Sequence, residues 1–186
     1  MMAVCWLKPK PQRYEAFAAT CALLVSIGLS EFTTQILKAY VGRLRPNFYA
    51  MCQFDTTTLT CLAPYHDQKE ARQSFPSGHS SLSMQGMMCL TLFMLGRIMS
   101  NYNSNSNNSN SNNSVNGKQT TLAKVCALAA VVIPIWISFG VGASRLVDNW
   151  HHPSDVAVGW AIGGWSAFVG YHCYFAFPLG YSDANY

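Results

Sequence analysis

Three separated stretches of the chain carry residues whose types and spacing suit work on an anion. The last, Ser144 to Asp155, reads Ser-Arg-Leu-Val-Asp-Asn-Trp-His-His-Pro-Ser-Asp and sits between two long apolar runs. Ionisable groups beside hydrocarbon are costly, so a cation, two imidazoles and a carboxylate there mark a working site. The other stretches are Lys38 to Pro46, with Lys38, Arg43 and Arg45, and Phe75-Pro76-Ser77-Gly78-His79-Ser80. If Lys38, Arg45 and Arg145 gather around one point, the pocket carries three positive charges. Phosphate is the natural occupant, because guanidinium forks match its oxygens and lysine supplies a point charge. The Ser77 hydroxyl and the Gly78 N–H would complete the cradle. An imidazole can then attack phosphorus if its other nitrogen is held by a carboxylate, and Asp155, four residues after His151, is placed to hold one. His79 can give a proton to the departing alcohol.

Each residue has a plainer reading. Lys38, Arg43 and Arg45 would also serve as a basic patch at a membrane surface. Ser77 would cap a helix and His79 would sit in its first turn. Asp155 follows Pro153 into a helix, where the dipole alone favours an acid. His152 is as well placed as His151, and local sequence does not choose between them. Metal binding by His79, His151, His152 and Asp155 is conceivable, but three adjacent cations argue against a divalent ion.

The elements that must position these groups are apolar helices. Half of the 186 residues are hydrophobic and 11% are charged, which places the chain near the membrane class. The net charge of +4 is small and scattered, and gives no reason to expect nucleic acid. Residues 1–13 read as a basic tail without a cleavable signal, 14–177 as one membrane domain and 178–186 as a short tail. Spans are expected at about Ala16 to Leu37, Ser80 to Met99, Thr121 to Ala143 and Val156 to Phe177. The first helix is expected to run on through Lys38 and stop near Arg45, before Pro46, with Lys38 and Arg45 on one face. Residues 47–74 read as an irregular extramembrane loop, and the Asn/Ser-rich 101–117 as a disordered linker. Pro134 is tolerable as a kink, and Gly159, Gly163 and Gly164 suit close helix packing.

Two spans separate the first polar loop from the last, so the active stretches share one side of the membrane. Basic residues tie across the two sides. Discounting Lys38, Arg45 and Arg145 as ligand-held leaves the tail and the Asn/Ser linker cytoplasmic, and the site lumenal or extracellular. The sequons at Asn107 and Asn112 would then go unused. None of the seven cysteines forms a Cys-x2-Cys metal pair. Cys52 and Cys61 flank a polar loop, and an oxidising compartment would allow them to bridge.

Written as Lys-x6-Arg-Pro, Pro-Ser-Gly-His and Ser-Arg-x5-His-x3-Asp, the three stretches resemble the signature of the type 2 phosphatidic acid phosphatase (PAP2) superfamily. The lipid phosphate phosphatase branch is the best match, and the run Val-Gly-Arg-Leu-Arg-Pro-Asn-Phe adds to the likeness. The resemblance covers roughly Ser30 to Phe177. It implies an all-α integral membrane bundle related to the haloperoxidases. It also implies His151 as nucleophile, His79 as general acid and Asp155 as the residue that orients the nucleophile. Lys38, Arg45, Ser77, Gly78 and Arg145 would bind phosphate. The implied reaction is metal-independent dephosphorylation of lipid phosphates through a phosphohistidine, with no cofactor. Phosphatidate, lysophosphatidate, sphingosine phosphate and diacylglycerol pyrophosphate are the substrate types. The expected partners are the lipid and the bilayer, in a plasma or internal membrane, with self-association left open. Eukaryotic members typically have six spans; this chain offers four, starting at what would be the third. A vanadate-dependent haloperoxidase and a non-catalytic membrane scaffold are the rival readings.

Overall fold

The computed structural model of the chain describes residues 12–108 and 117–175, with side chains over 15–100, 121 and 124–175. The N-terminal tail up to residue 11, the end of the Asn/Ser-rich run with the sequon at Asn112, and the tail from 178 lie outside the described residues. Helix α1 spans Gln12–Val41, α2 Phe48–Cys52 and α3 Tyr65–Glu70; α4 spans Gly78–Asn108, α5 Gly117–Val147 and α6 Pro153–His172. A two-stranded antiparallel hairpin, β1 Phe54–Asp55 and β2 Thr60–Cys61, lies between α2 and α3, with Phe54 opposite Cys61.

The first helix ends earlier than Pro46 would dictate. Gly42 adopts a left-handed φ of 60° and its N–H reaches back to the Lys38 carbonyl, a glycine stop that leaves Arg43 to Arg45 outside the helix. Lys38 and Arg45 therefore do not share a helical face. The expected irregular loop is also more ordered than its polarity suggests. Cys52 and Cys61 are joined in a disulfide, with Cα atoms 5.1 Å apart. Cys52 packs in a small core with Phe48 and Ala71. The Thr57 N–H and the Thr57 and Thr58 hydroxyls donate to the Asp55 carboxylate, which closes the hairpin turn. At the far end, α4 continues through Asn108 instead of ending at the Asn/Ser run. Extending an existing helix costs far less than starting one, so weak helix formers are carried along.

Among the described residues three helices, at Glu15–Val41, Gly78–Ser100 and Lys124–Val147, are long and apolar enough to cross a membrane; the expected fourth span, at Val156 to Phe177, is not among them. Helix α6 has 20 residues, but glycines, tryptophans and the polar Asp155 and His172 dilute its aliphatic content. It lies within the bundle, packed along α4 and α1, while α4 also contacts α1 and α5. Lipid tails are as apolar as leucine, so helices in a bilayer associate through small residues and interhelical hydrogen bonds. Both devices are present. The buried face of α6 is Asp155, Val156, Gly159, Gly163, Ser166, Ala167, Gly170 and Tyr171, a helical stripe dominated by small side chains. A Cβ at Gly159 would come within 2.6 Å of the Ser77 carbonyl, so only glycine permits this approach to α4. Gln85 of α4 donates to the Ser26 hydroxyl of α1 at 2.6 Å, and Thr34 pairs with Ser81 at 3.1 Å. Phe17, Leu24 and Phe32 of α1 and Leu128, Ile133 and Trp136 of α5 stay exposed on the outside, as a lipid-facing surface requires.

Gly163→Ala tests this packing, because its Cβ would lie 2.9 Å from the Gln85 backbone nitrogen. Thermal unfolding in detergent should show a loss of about 1–3 kcal/mol. Gly28→Ala, where nothing lies within 4 Å, should leave the midpoint unchanged or slightly raised. Equal midpoints for the two variants would contradict the close α4–α6 contact.

Candidate active site

The up-and-down course of the bundle brings four helix ends to one face. Lys38 lies in the last turn of α1 and Arg145 in the last turn of α5, while α4 opens at Gly78 and α6 at Pro153. All three motifs meet there. The charges that act on His79 are Arg145, Lys38, Arg45 and the more weakly felt Glu70, which places the expected cations around one imidazole.

Arg45 reaches this face from the segment after Gly42. Its N–H donates to the Ala71 carbonyl at 2.9 Å, and its Nε donates to the Glu70 carbonyl at 3.0 Å. Nη2 lies 3.4 Å from the Glu70 carboxylate, and the guanidinium sits 4.6 Å from the centre of the Trp150 ring. Burial pulls its pKa below the ordinary arginine value and Glu70 opposes this; the group stays charged. Ala71 thus belongs both to the disulfide core and to the seat of Arg45.

His151 is 3% exposed, and its Nδ1 lies 2.7 Å from the backbone carbonyl of Ser74. A carbonyl can only accept, so Nδ1 carries the proton and the lone pair of the neutral ring is on Nε2. Burial, with a contribution from the Arg45 charge, lowers the His151 pKa to about 4, against the raising effects of the Ser74 hydrogen bond and Asp155. At neutral pH the ring is therefore an unprotonated imidazole of fixed tautomer. His152 differs: it is the N-cap residue of α6, and its Nδ1 lies 3.3 Å from Asp155.

Asp155 was expected to hold His151 directly. Its Oδ2 is 3.9 Å from Nδ1, beyond a hydrogen bond. The fully buried carboxylate instead accepts from the Ser74 hydroxyl at 2.5 Å, the His152 N–H at 3.0 Å and Arg43 Nη1 at 2.7 Å. Arg43 also donates to the Ser154 hydroxyl. Ser74 and Arg43 are contributions that sequence reasoning missed. Arg43 was visible as a third cation of its motif, but Ser74 acts through a backbone carbonyl, which no residue type advertises.

Ser77 is fully buried; its N–H donates to the Asp155 carbonyl at 2.9 Å and its hydroxyl accepts from Ser80. The capping reading thus describes the resting serine, and it also fixes the start of α4 against the start of α6. Lys38 Nζ lies so near Gly78 that a Cβ there would be 3.3 Å from it. Arg145 rests against Asp148 at 3.0 Å, with its Nε donating to the Ser144 hydroxyl at 3.2 Å. Among the described residues no group of three His, Cys, Asp or Glu side chains is arranged to hold a metal ion.

Comparison with known proteins matches the sequence to a family. The family model described as PAP2 superfamily matches residues 19–178. The chain belongs to the PAP2 superfamily. Among curated relatives it is 33% identical to probable lipid phosphate phosphatase 4 of Arabidopsis thaliana, over 89% of this chain and 50% of that protein. It is 31% identical to lipid phosphate phosphatase 1 of the same plant, over 92% of this chain and 48% of the relative. It is also 31% identical to probable diacylglycerol pyrophosphate phosphatase 1 of Schizosaccharomyces pombe, over 88% and 55%. The chain therefore spans about half the length of the curated relatives it matches. No solved structure matches it.

For this PAP2 chain the lowered His151 pKa has a definite sign. Between about 4 and the ordinary 6.5, the unfolded chain binds a proton that the folded site refuses. The stability contribution is complete above pH 6.5 and is lost as pH falls toward 4. An NMR titration of His151, assigned by its absence in His151→Gln, should give a midpoint near 4. A midpoint near 6.5 would contradict the buried, neutral imidazole.

Proposed function

We propose that this PAP2 chain hydrolyses the phosphomonoester of a membrane lipid through a phosphorylated His151, without a metal cofactor. Lys38, Arg45 and Arg145, with the Gly78 N–H and the Ser77 hydroxyl, bind the non-bridging oxygens. The His151 Nε2 lone pair forms the N–P bond as the P–O bond to the lipid breaks, and His79 gives its proton to the departing alkoxide. The phosphorylated ring keeps its Nδ1–H on the Ser74 carbonyl and gains a positive charge, which the Asp155 carboxylate 3.9 Å away stabilises. Water then attacks phosphorus, returns a proton to His79, and leaves His151 neutral and inorganic phosphate free.

The observation that carries this reading is the tautomer of His151. A buried imidazole with its proton pinned on Nδ1 can only present a lone pair on Nε2, beside a cluster of cations. The membrane bundle and the names of the relatives support a lipid phosphate as substrate, of the phosphatidate, lysophosphatidate, sphingosine phosphate or diacylglycerol pyrophosphate type. The disulfide lies on the same face as the site, and disulfides persist in oxidising compartments, which supports a lumenal or extracellular active site.

Phosphate release from phosphatidate in detergent micelles with EDTA present tests the proposal. The wild-type chain should turn over; His151→Ala should be inactive and His79→Ala nearly so. Arg145→Ala should lose more than about 2 kcal/mol of transition-state stabilisation in kcat/KM. Full activity in His151→Ala, or a reaction abolished by EDTA, would overturn it.

A further inference from the structure

The reaction scheme uses only the Ser74 carbonyl and gives no work to the Ser74 hydroxyl or to Arg43, yet both of these bind the carboxylate nearest His151. The carbonyl of Ser74 takes the His151 Nδ1–H at 2.7 Å, and its hydroxyl donates to Asp155 Oδ2 at 2.5 Å. The Ser74 N–H in turn donates to the backbone carbonyl of Arg43 at 2.9 Å. The guanidinium of Arg43 then closes a ring of contacts by binding Asp155 Oδ1 and the Ser154 hydroxyl, each at 2.7 Å. Asp155 has no solvent contact, and Arg43 is its only arginine or lysine partner among the described residues. A buried carboxylate that loses its cation leaves an uncompensated charge, which is relieved by taking up a proton or by moving. Either change would release Ser74, and with it the acceptor that fixes the imidazole.

We propose that Arg43 and Ser74 are positioning residues for the nucleophile. Arg43 and the Ser74 hydroxyl clamp Asp155, and the clamped Ser74 carbonyl holds His151 in the Nδ1–H tautomer with Nε2 free toward phosphorus. Asp155 thereby orients His151 through Ser74, not by direct contact. Arg45 and Arg145 also meet carboxylates, but the Glu70 and Asp148 side chains reach solvent, whereas the carboxylate that holds Arg43 is fully buried. The inference rests on the phosphatase reading, and it makes a separate claim about the resting protein that does not need turnover.

The test uses the full chain in detergent, with phosphatidate micelles as substrate and isotope-labelled histidine for the tautomer of His151. Arg43→Ala should lower kcat roughly 100-fold while KM stays within about twofold, the pattern of a misaligned nucleophile and not of weakened binding. Arg43→Lys, which keeps the charge, should recover about tenfold of that loss, and Ser74→Ala should fall about tenfold on its own. The wild type should show His151 as the Nδ1–H tautomer alone, and Arg43→Ala a mixture. An unchanged kcat in Arg43→Ala, or a loss confined to KM, would overturn the proposal. So would collapse of cooperative unfolding in both Arg43→Ala and Ser74→Ala, which would assign the pair to the fold. If the wild type releases no phosphate, the phosphatase reading fails by itself. The tautomer comparison then decides the positioning claim: a mixture in Arg43→Ala sustains it and a single tautomer ends it.

Discussion

The carboxylate of Asp155 is sealed from solvent, and the working end of the bundle is built around that constraint. An ion in such a place costs several kcal/mol unless its oxygens find donors and a counter-charge. Here the donors come from separate parts of the chain. Arg43 follows the glycine stop of α1, Ser74 precedes α4, and the His152 N–H opens α6. Satisfying one anion therefore ties three segments together, and these are the segments that deliver Arg45, Ser77 and His151. The disulfide and its small core support the same region from outside, since Ala71 both packs on Cys52 and accepts from the Arg45 N–H.

Helix packing makes this junction reachable. Gly159 lets the first turns of α6 and α4 approach until the Ser77 N–H can donate to the Asp155 carbonyl. Two helix N-termini, with their positive dipole ends, then face the same space. The C-terminal ends of α1 and α5 also open there; each would repel an anion, and each carries a cation in its last turn, Lys38 and Arg145. The face thus gathers three cations around His79, with the Glu70 and Asp148 carboxylates beside two of them.

Much of this was legible in the sequence, because apolar runs and ionisable residues beside them carry strong physical signals. The helical class and the shared face of the three motifs followed from spacing and alternation of sides. The end of α1 did not: Pro46 drew attention as the obvious breaker, while Gly42 stopped the helix one turn earlier through a left-handed conformation. The loop from 47 to 74 looked irregular because its order depends on contacts distant in sequence, such as Phe48 with Ala71. The relation of Asp155 to His151 was hidden for a similar reason. A spacing of four suggests contact, but the bond to the imidazole is made by a backbone carbonyl 77 positions away. Arg43 was in plain view as a charge, and only the structure gives it a partner.

The central claim is that His151 Nε2 becomes covalently phosphorylated. It is tested most directly by quenching the chain during turnover of labelled lysophosphatidate and mapping the acid-labile, base-stable label by mass spectrometry. The account predicts one phosphoryl group on His151, absent from His151→Ala. Label on His152 or His79 would contradict it. So would steady phosphate release with no phosphohistidine at any time point.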